Sequence, residues 1–202
     1  MKKDEPLFDI PFLQRFSAKR IFLPLCVTFT AGVLFGSAVV SWIEASGVSS
    51  ELPLHISGAS VLTSDFFSSF STILLNALTS LLILFLLGVT AFGAVGVPLC
   101  LFLKGVVVGI GVLSFLINDS AMGLIRSALG YLPTASALGL LHLFLGSRAF
   151  EFSKSLAKAG FSSSNESLDF YRYLKDFLTL LCFAVAISLV GSLLALLSAV
   201  LF

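Results

Sequence analysis

From Phe177 to Phe202 the chain carries no charged side chain, and at 1.5 Å per residue such a run outreaches the roughly 30 Å of a bilayer's hydrocarbon. Similar runs occur at Ile21 to Ile43, Thr72 to about Phe92, Leu99 to Ile117 and, less cleanly, Pro133 to Phe150. A water-soluble domain of 202 residues that is 57% hydrophobic and only 11% charged could not bury so much apolar surface. The period-two alternation of a barrel strand is missing from Ile73 to Leu87 and from Phe177 to Phe202, which are apolar all round. The expected fold is therefore all-α: a polytopic integral membrane bundle of about five spans, 21–43, 72–92, 99–117, 133–150 and 177–201, forming one domain over 21–202.

Placement of charge orients these spans. Lys2, Lys3, Arg15, Lys19 and Arg20 precede the first run, and no Lys or Arg follows until Lys104. A second basic cluster, Arg148, Lys154, Lys158, Arg172 and Lys175, lies between the last two runs. By the positive-inside rule both clusters are cytoplasmic, which puts the N-terminus inside and the C-terminus outside. The first run is too long for the apolar region of a signal peptide, so an uncleaved helix is expected. Residues 1–20 then form a cytoplasmic leader, either amphipathic at headgroup level, with Phe8, Ile10, Phe12, Leu13 and Phe16 against Asp9, Arg15 and Lys19, or flexible.

The connections carry their own signals. Gly93, Gly96 and Pro98 read as a tight cytoplasmic turn, and Asn118-Asp119-Ser120 as an outer one. Pro133 disfavours a helix running through Leu132, so Ala121 to Tyr131 reads as a short interfacial or re-entrant piece before the fourth span. The stretch Glu44 to Ser71 is the one sizeable outward loop; its Glu44, Glu51, His55 and Asp65 are candidate contacts for an extracytoplasmic partner.

Inside the spans, Gly32 and Gly36, like Gly105 and Gly109, are four apart and share a helix face, which lets a neighbouring backbone come close. Lys104 is expected either to snorkel to the cytoplasmic headgroups or to face a partner, and Arg126 to snorkel outward. Asn76 and His142 read as hydrogen-bonded packing residues, with a proton relay the alternative for His142. Arg148, Glu151 and Lys154 read as a solvated, charge-paired helix end. Cys26, Cys100 and Cys182 sit in separate apolar runs without a CxxC pair, so no metal site and no cofactor are expected.

The patterns of intramembrane proteolysis are missing: no aspartate pair within the spans, no Gly-rich serine motif and no HExxH. Glu44, Glu51 and Asp65 share a loop too short to hold a wall-cleaving site. An enzyme is not expected, nor a nucleic-acid partner. A transporter or permease-like subunit is the second reading, on Lys104, the Gly-interrupted third span and Pro133.

Several strings carry a resemblance. Phe85-Leu-Leu-Gly88, Gly96-Val-Pro98-Leu, Phe102-Leu-Lys104-Gly105-Val-Val-Val-Gly109 and Phe115-Leu116-Ile-Asn118 resemble, in order and spacing, the core of the stage II sporulation protein M family. Ala31-Gly32-Val-Leu-Phe35-Gly36 resembles its opening helix, and Leu132-Pro133 with Phe144-Leu145-Gly146 its fourth segment. Thr134 and Ala135 stand where that family often carries an amide pair. The resemblance implies a scaffold in the mother-cell or septal membrane that recruits the cell-wall hydrolases stage II sporulation proteins D and P during forespore engulfment.

Overall fold

The structure is a computed structural model that describes residues 19–46, 66–118, 125, 127–161 and 170–201. Five long helices make it up: α1 Lys19–Ala45, α2 Phe66–Gly88, α3 Gly93–Asn118, α4 Leu132–Phe161 and α5 Phe170–Leu201. Each is long and apolar enough to cross a membrane. There is no strand among the described residues. Helix is the state that closes every backbone hydrogen bond within its own segment, which lipid demands. Large apolar side chains face outward, among them Leu23, Trp42, Phe67, Phe92 and Val95. A surface of this kind is stable only in hydrocarbon.

The tightest pairing joins α1 to α3. A Cβ built on Gly32 or Gly36 would collide with the carbonyls of Phe102 and Val106, and one on Gly105 or Gly109 with those of Phe29 and Val33. The two glycine pairs expected to permit close approach thus approach each other. Residue numbers rise together along the contact, so α1 and α3 run parallel. Ser80 meets His142 and Gly88 meets Ala149, so α2 and α4 are parallel as well. Gly191 against Thr134, Arg148 against Asp176 and Phe152 against Tyr173 make α4 and α5 antiparallel. Chain direction therefore alternates from each helix to the next.

α4 is central and packs on all four other helices. It contributes Leu141, Leu145 and Ala149 to a core completed by Leu81, Leu84, Val97, Leu101, Phe177 and Leu180. At one end of this core a stack of aromatic rings, Phe85, Phe152, Tyr173 and Phe177, locks α2, α4 and α5. The Tyr173 hydroxyl donates to the Phe85 carbonyl at 3.1 Å, which satisfies the ring's polar tip in an apolar setting.

Three connections differ from expectation. At the first, both ends of the expected loop Glu44 to Ser71 are helical, because α1 runs to Ala45 and α2 begins at Phe66. The α2–α3 turn is made by Val89–Phe92, and Gly93, Gly96 and Pro98 belong to the opening turns of α3. Gly93 closes the turn, its N–H donating to the Thr90 carbonyl, and also permits close approach: a Cβ there would strike the Leu87 carbonyl and Ser153. Pro98 lies inside α3 and has no N–H to give the Ala94 carbonyl, so the helix forgoes one backbone bond near its start. Near Pro133 the irregularity is a π-helical turn, Ser127–Tyr131, that runs directly into α4. Pro133 is the second residue of that helix, so the chain is helical on both sides of the proline, and the change from π to α geometry falls where its N–H is missing. Of the proposed re-entrant piece, Ala121 to Leu124 and Arg126 lie outside the described residues. α4 and α5 also reach further past the core than the expected spans, to Phe161 and back to Phe170.

Replacing Gly32 or Gly105 by Ala will force the α1–α3 backbones apart and cost about 1–3 kcal/mol, as overpacking does. Gly160→Ala, where nothing lies within 4 Å, will be neutral or stabilising. Thermal unfolding in detergent measures both, and equal midpoints for all three variants would refute the backbone contact.

Candidate functional site

Polar side chains converge at one level inside the apolar bundle. Lys104 stands about three turns into α3, roughly 16 Å from its start at 1.5 Å per residue. Because Gly93 to Pro98 are helical, Lys104 lies further inside its helix than a turn there implies, which leaves its stem more to span in reaching the headgroups. The ammonium instead donates from Nζ to Asn76 Oδ1 of α2 at 3.1 Å. Lys104 is half-buried in the seam between the two helices, and Asn76 is exposed at its mouth.

One turn further along α2, Ser80 Oγ lies 2.6 Å from His142 Nε2 on α4, while His142 Nδ1 lies 2.6 Å from the Leu138 carbonyl. A carbonyl only accepts, so Nδ1 carries a proton, and in the neutral ring Nε2 accepts from the serine hydroxyl. Ser80 Oγ also lies 2.7 Å from the Asn76 backbone carbonyl, so its single proton can serve one acceptor or the other. His142 is 1% exposed. Four residues from three helices, Asn76, Ser80, Lys104 and His142, thus form a contiguous polar layer.

A second cluster lies toward the basic end. Arg148 Nη1 is 3.3 Å from Glu151 Oε2, and Arg148 Nε is 3.4 Å from Asp176 Oδ2 on α5. The expected Arg148–Glu151 pair is present and Lys154 is exposed, but Arg148 also meets Asp176, which is 8% exposed, and that ion pair ties α4 to α5. Nearby, Ser153 donates to the Thr90 carbonyl at 2.7 Å, which fastens the α2–α3 turn to α4. The described Lys and Arg residues other than Lys104 all lie at this end, with the starts of α1, α3 and α5 and the ends of α2 and α4.

The remaining expected site residues fall as follows. Glu44 is exposed on the last turn of α1, at the opposite end from the basic cluster, while Glu51, His55, Asp65 and Arg126 lie outside the described residues. Pro133 lines an apolar groove of about 220 Å³ between α4 and α5, with Thr134, Ala137, Ile187, Val190 and Gly191. Among the described residues no three His, Cys, Asp or Glu side chains are grouped to hold a metal.

Sequence reasoning passed over Ser80 and Asp176. Ser80 follows Asn76 by four residues and so shares its face, a signal that was available. Asp176 precedes the last apolar run by one residue, and nothing in the residue order indicates that Arg148 meets it across two helices.

Arg148→Met will destabilise the bundle by about 3–5 kcal/mol, because it strands a buried carboxylate. Asp176→Asn will cost less, since Arg148 keeps Glu151, and the double variant Arg148→Met with Asp176→Leu will recover much of the loss. Unfolding midpoints in detergent check the order; a double variant as weak as the single arginine variant would contradict it.

The family model described as stage II sporulation protein M matches residues 25–197. Comparison with curated proteins and with solved structures finds no match in either. The matched stretch begins in the second turn of α1, ends near the close of α5 and takes in the glycine crossing and the polar layer between them: the chain belongs to the stage II sporulation protein M family, membrane proteins of sporulation.

Proposed function

We propose that the protein is a membrane scaffold that recruits and anchors cell-wall hydrolases at the septum while the mother-cell membrane engulfs the forespore. The observation that carries this reading is the family match across all five helices. On this reading the wall chemistry belongs to the recruited hydrolases, stage II sporulation proteins D and P, and the scaffold itself catalyses nothing. Its site is the mother-cell membrane at the septum.

Topology supports a division of labour between the two ends. With the basic end in the cytoplasm, the segment joining α1 to α2 faces the hydrolases. α1 is held by α3 and α4, whereas α2 is held chiefly by α4 and α5. The segment's two ends are therefore fixed by separate contacts, which presents it from a rigid base.

A second reading, a transporter or permease-like subunit, draws on the polar layer, since ionisable residues within a membrane often mark a solute path. Solute or ion flux in proteoliposomes that is lost on Lys104→Ala would favour it over the scaffold.

Deleting 49–65 will leave the protein in the membrane and abolish its co-purification with the two hydrolases from sporulating cells. Undiminished capture by the deleted form would refute the assignment of that segment.

A further inference from the structure

Lys104 poses a problem that the scaffold reading does not solve. An ammonium has three donors, and among the described residues Lys104 has one hydrogen-bond partner, the neutral Asn76 side chain. The charge is neither cancelled nor sealed in, because Asn76 is exposed on the outside of the bundle. A cation at such a depth is costly in lipid.

The surface around it is also unusual for a lipid-facing helix. Ser68, Thr72, Asn76 and Thr79 are exposed along α2, leading from its outer end to the level of Lys104. Thr72 and Thr79 give their hydroxyl protons to the Ser68 and Leu75 carbonyls of their own helix, so they add no unmet donor and keep the surface low. Small hydroxyl residues of this kind let another helix approach closely. α2 and α3 touch each other sparingly beside the α1–α3 contact, and Asn76 and Thr79 stay exposed beside them.

We propose that the seam between α2 and α3 docks a single transmembrane helix of another protein, one with an Asp or Glu near the middle of its apolar run, whose carboxylate accepts from the Lys104 ammonium beside Asn76. Charge selects this occupant. The chain's own apolar runs contain no Asp or Glu, so a second copy would set Lys104 against Lys104 and offer no counter-ion. An anionic lipid keeps its phosphate at the interface, well above this level. A foreign helix can place a carboxylate at mid-depth, and a charge-assisted hydrogen bond in a water-poor seam is stronger than one between neutral groups.

The inference stands apart from the scaffold reading: hydrolase capture tests that one, whereas model helices test the seam. The probes are Lys-flanked Leu-Ala transmembrane peptides with Asp, Leu or Lys at the central position, titrated against the labelled full-length protein in phosphatidylcholine vesicles by fluorescence transfer. The Asp peptide should bind about tenfold more tightly than the Leu peptide, the scale of one interhelical polar contact, and the Lys peptide no better than the Leu peptide. Lys104→Met should erase the preference and Lys104→Arg keep it, each first shown to elute as a folded species. Equal binding of the three peptides to the unmodified protein would overturn the proposal without recourse to any variant. So would an Asp preference that survives Lys104→Met, or spontaneous disulfide pairing between copies carrying Thr79→Cys, which would give the face to self-association.

Discussion

The architecture depends on the crossing of α1 and α3, where Gly32 and Gly36 lie against Gly105 and Gly109 with carbonyls at the contact. Helices already dissolved in lipid gain nothing by hiding apolar surface from water, so what draws them together must be close packing and weak polar contact. A backbone-to-backbone approach supplies both, since Cα–H groups then meet carbonyl oxygens. Side chains larger than hydrogen at these four positions would remove the approach altogether.

From that crossing much of the topology follows. Two parallel helices separated by one other require the intervening helix to run the opposite way across the full thickness, and α2 does so. α1 and α3 then form one unit, α2, α4 and α5 pack into a second, and α4 makes contact with both. The second unit is held differently, by the rings of Phe85, Phe152, Tyr173 and Phe177 and by the Arg148–Asp176 pair. Paired glycines govern one half, while the other adds aromatic and ionic contact to the single glycine approaches at Gly88 and Gly191.

Much of this was legible beforehand, because apolar run length and charge placement report directly on lipid. The five spans, the glycine pairs and the unusual position of Lys104 could be read from residue order. The partners could not: four-residue spacing says that Gly32 and Gly36 share a face, and nothing in it says that Gly105 and Gly109 lie opposite. The α2–α3 turn was misread for a related reason. Glycine and proline punctuate turns in soluble proteins, and Gly93 does lie against the Leu87 carbonyl at the close of this turn, but its second constraint, Ser153, exists only once α4 has docked. His142 illustrates the same limit, since its acceptor nitrogen is matched by Ser80 on a helix remote in sequence.

The polar layer carries an energetic imbalance that bears on what the bundle is for. A lysine at the centre of a spanning helix costs roughly 2.5–3.5 kcal/mol on insertion scales, and an interhelical hydrogen bond in a membrane returns about 0.6–2 kcal/mol. The bond to Asn76 therefore recovers only part of the cost, and the neutral Ser80–His142 pair beside it offers no negative charge. Packing elsewhere in the bundle can absorb a deficit of this size. A fold under no demand at this position would lose nothing by carrying methionine there, whereas an uncompensated charge keeps in reserve a gain that is realised only when an opposite charge arrives. Such an arrangement favours association with one kind of helix over the many apolar helices a membrane contains, since those match the seam in shape but leave its charge unanswered.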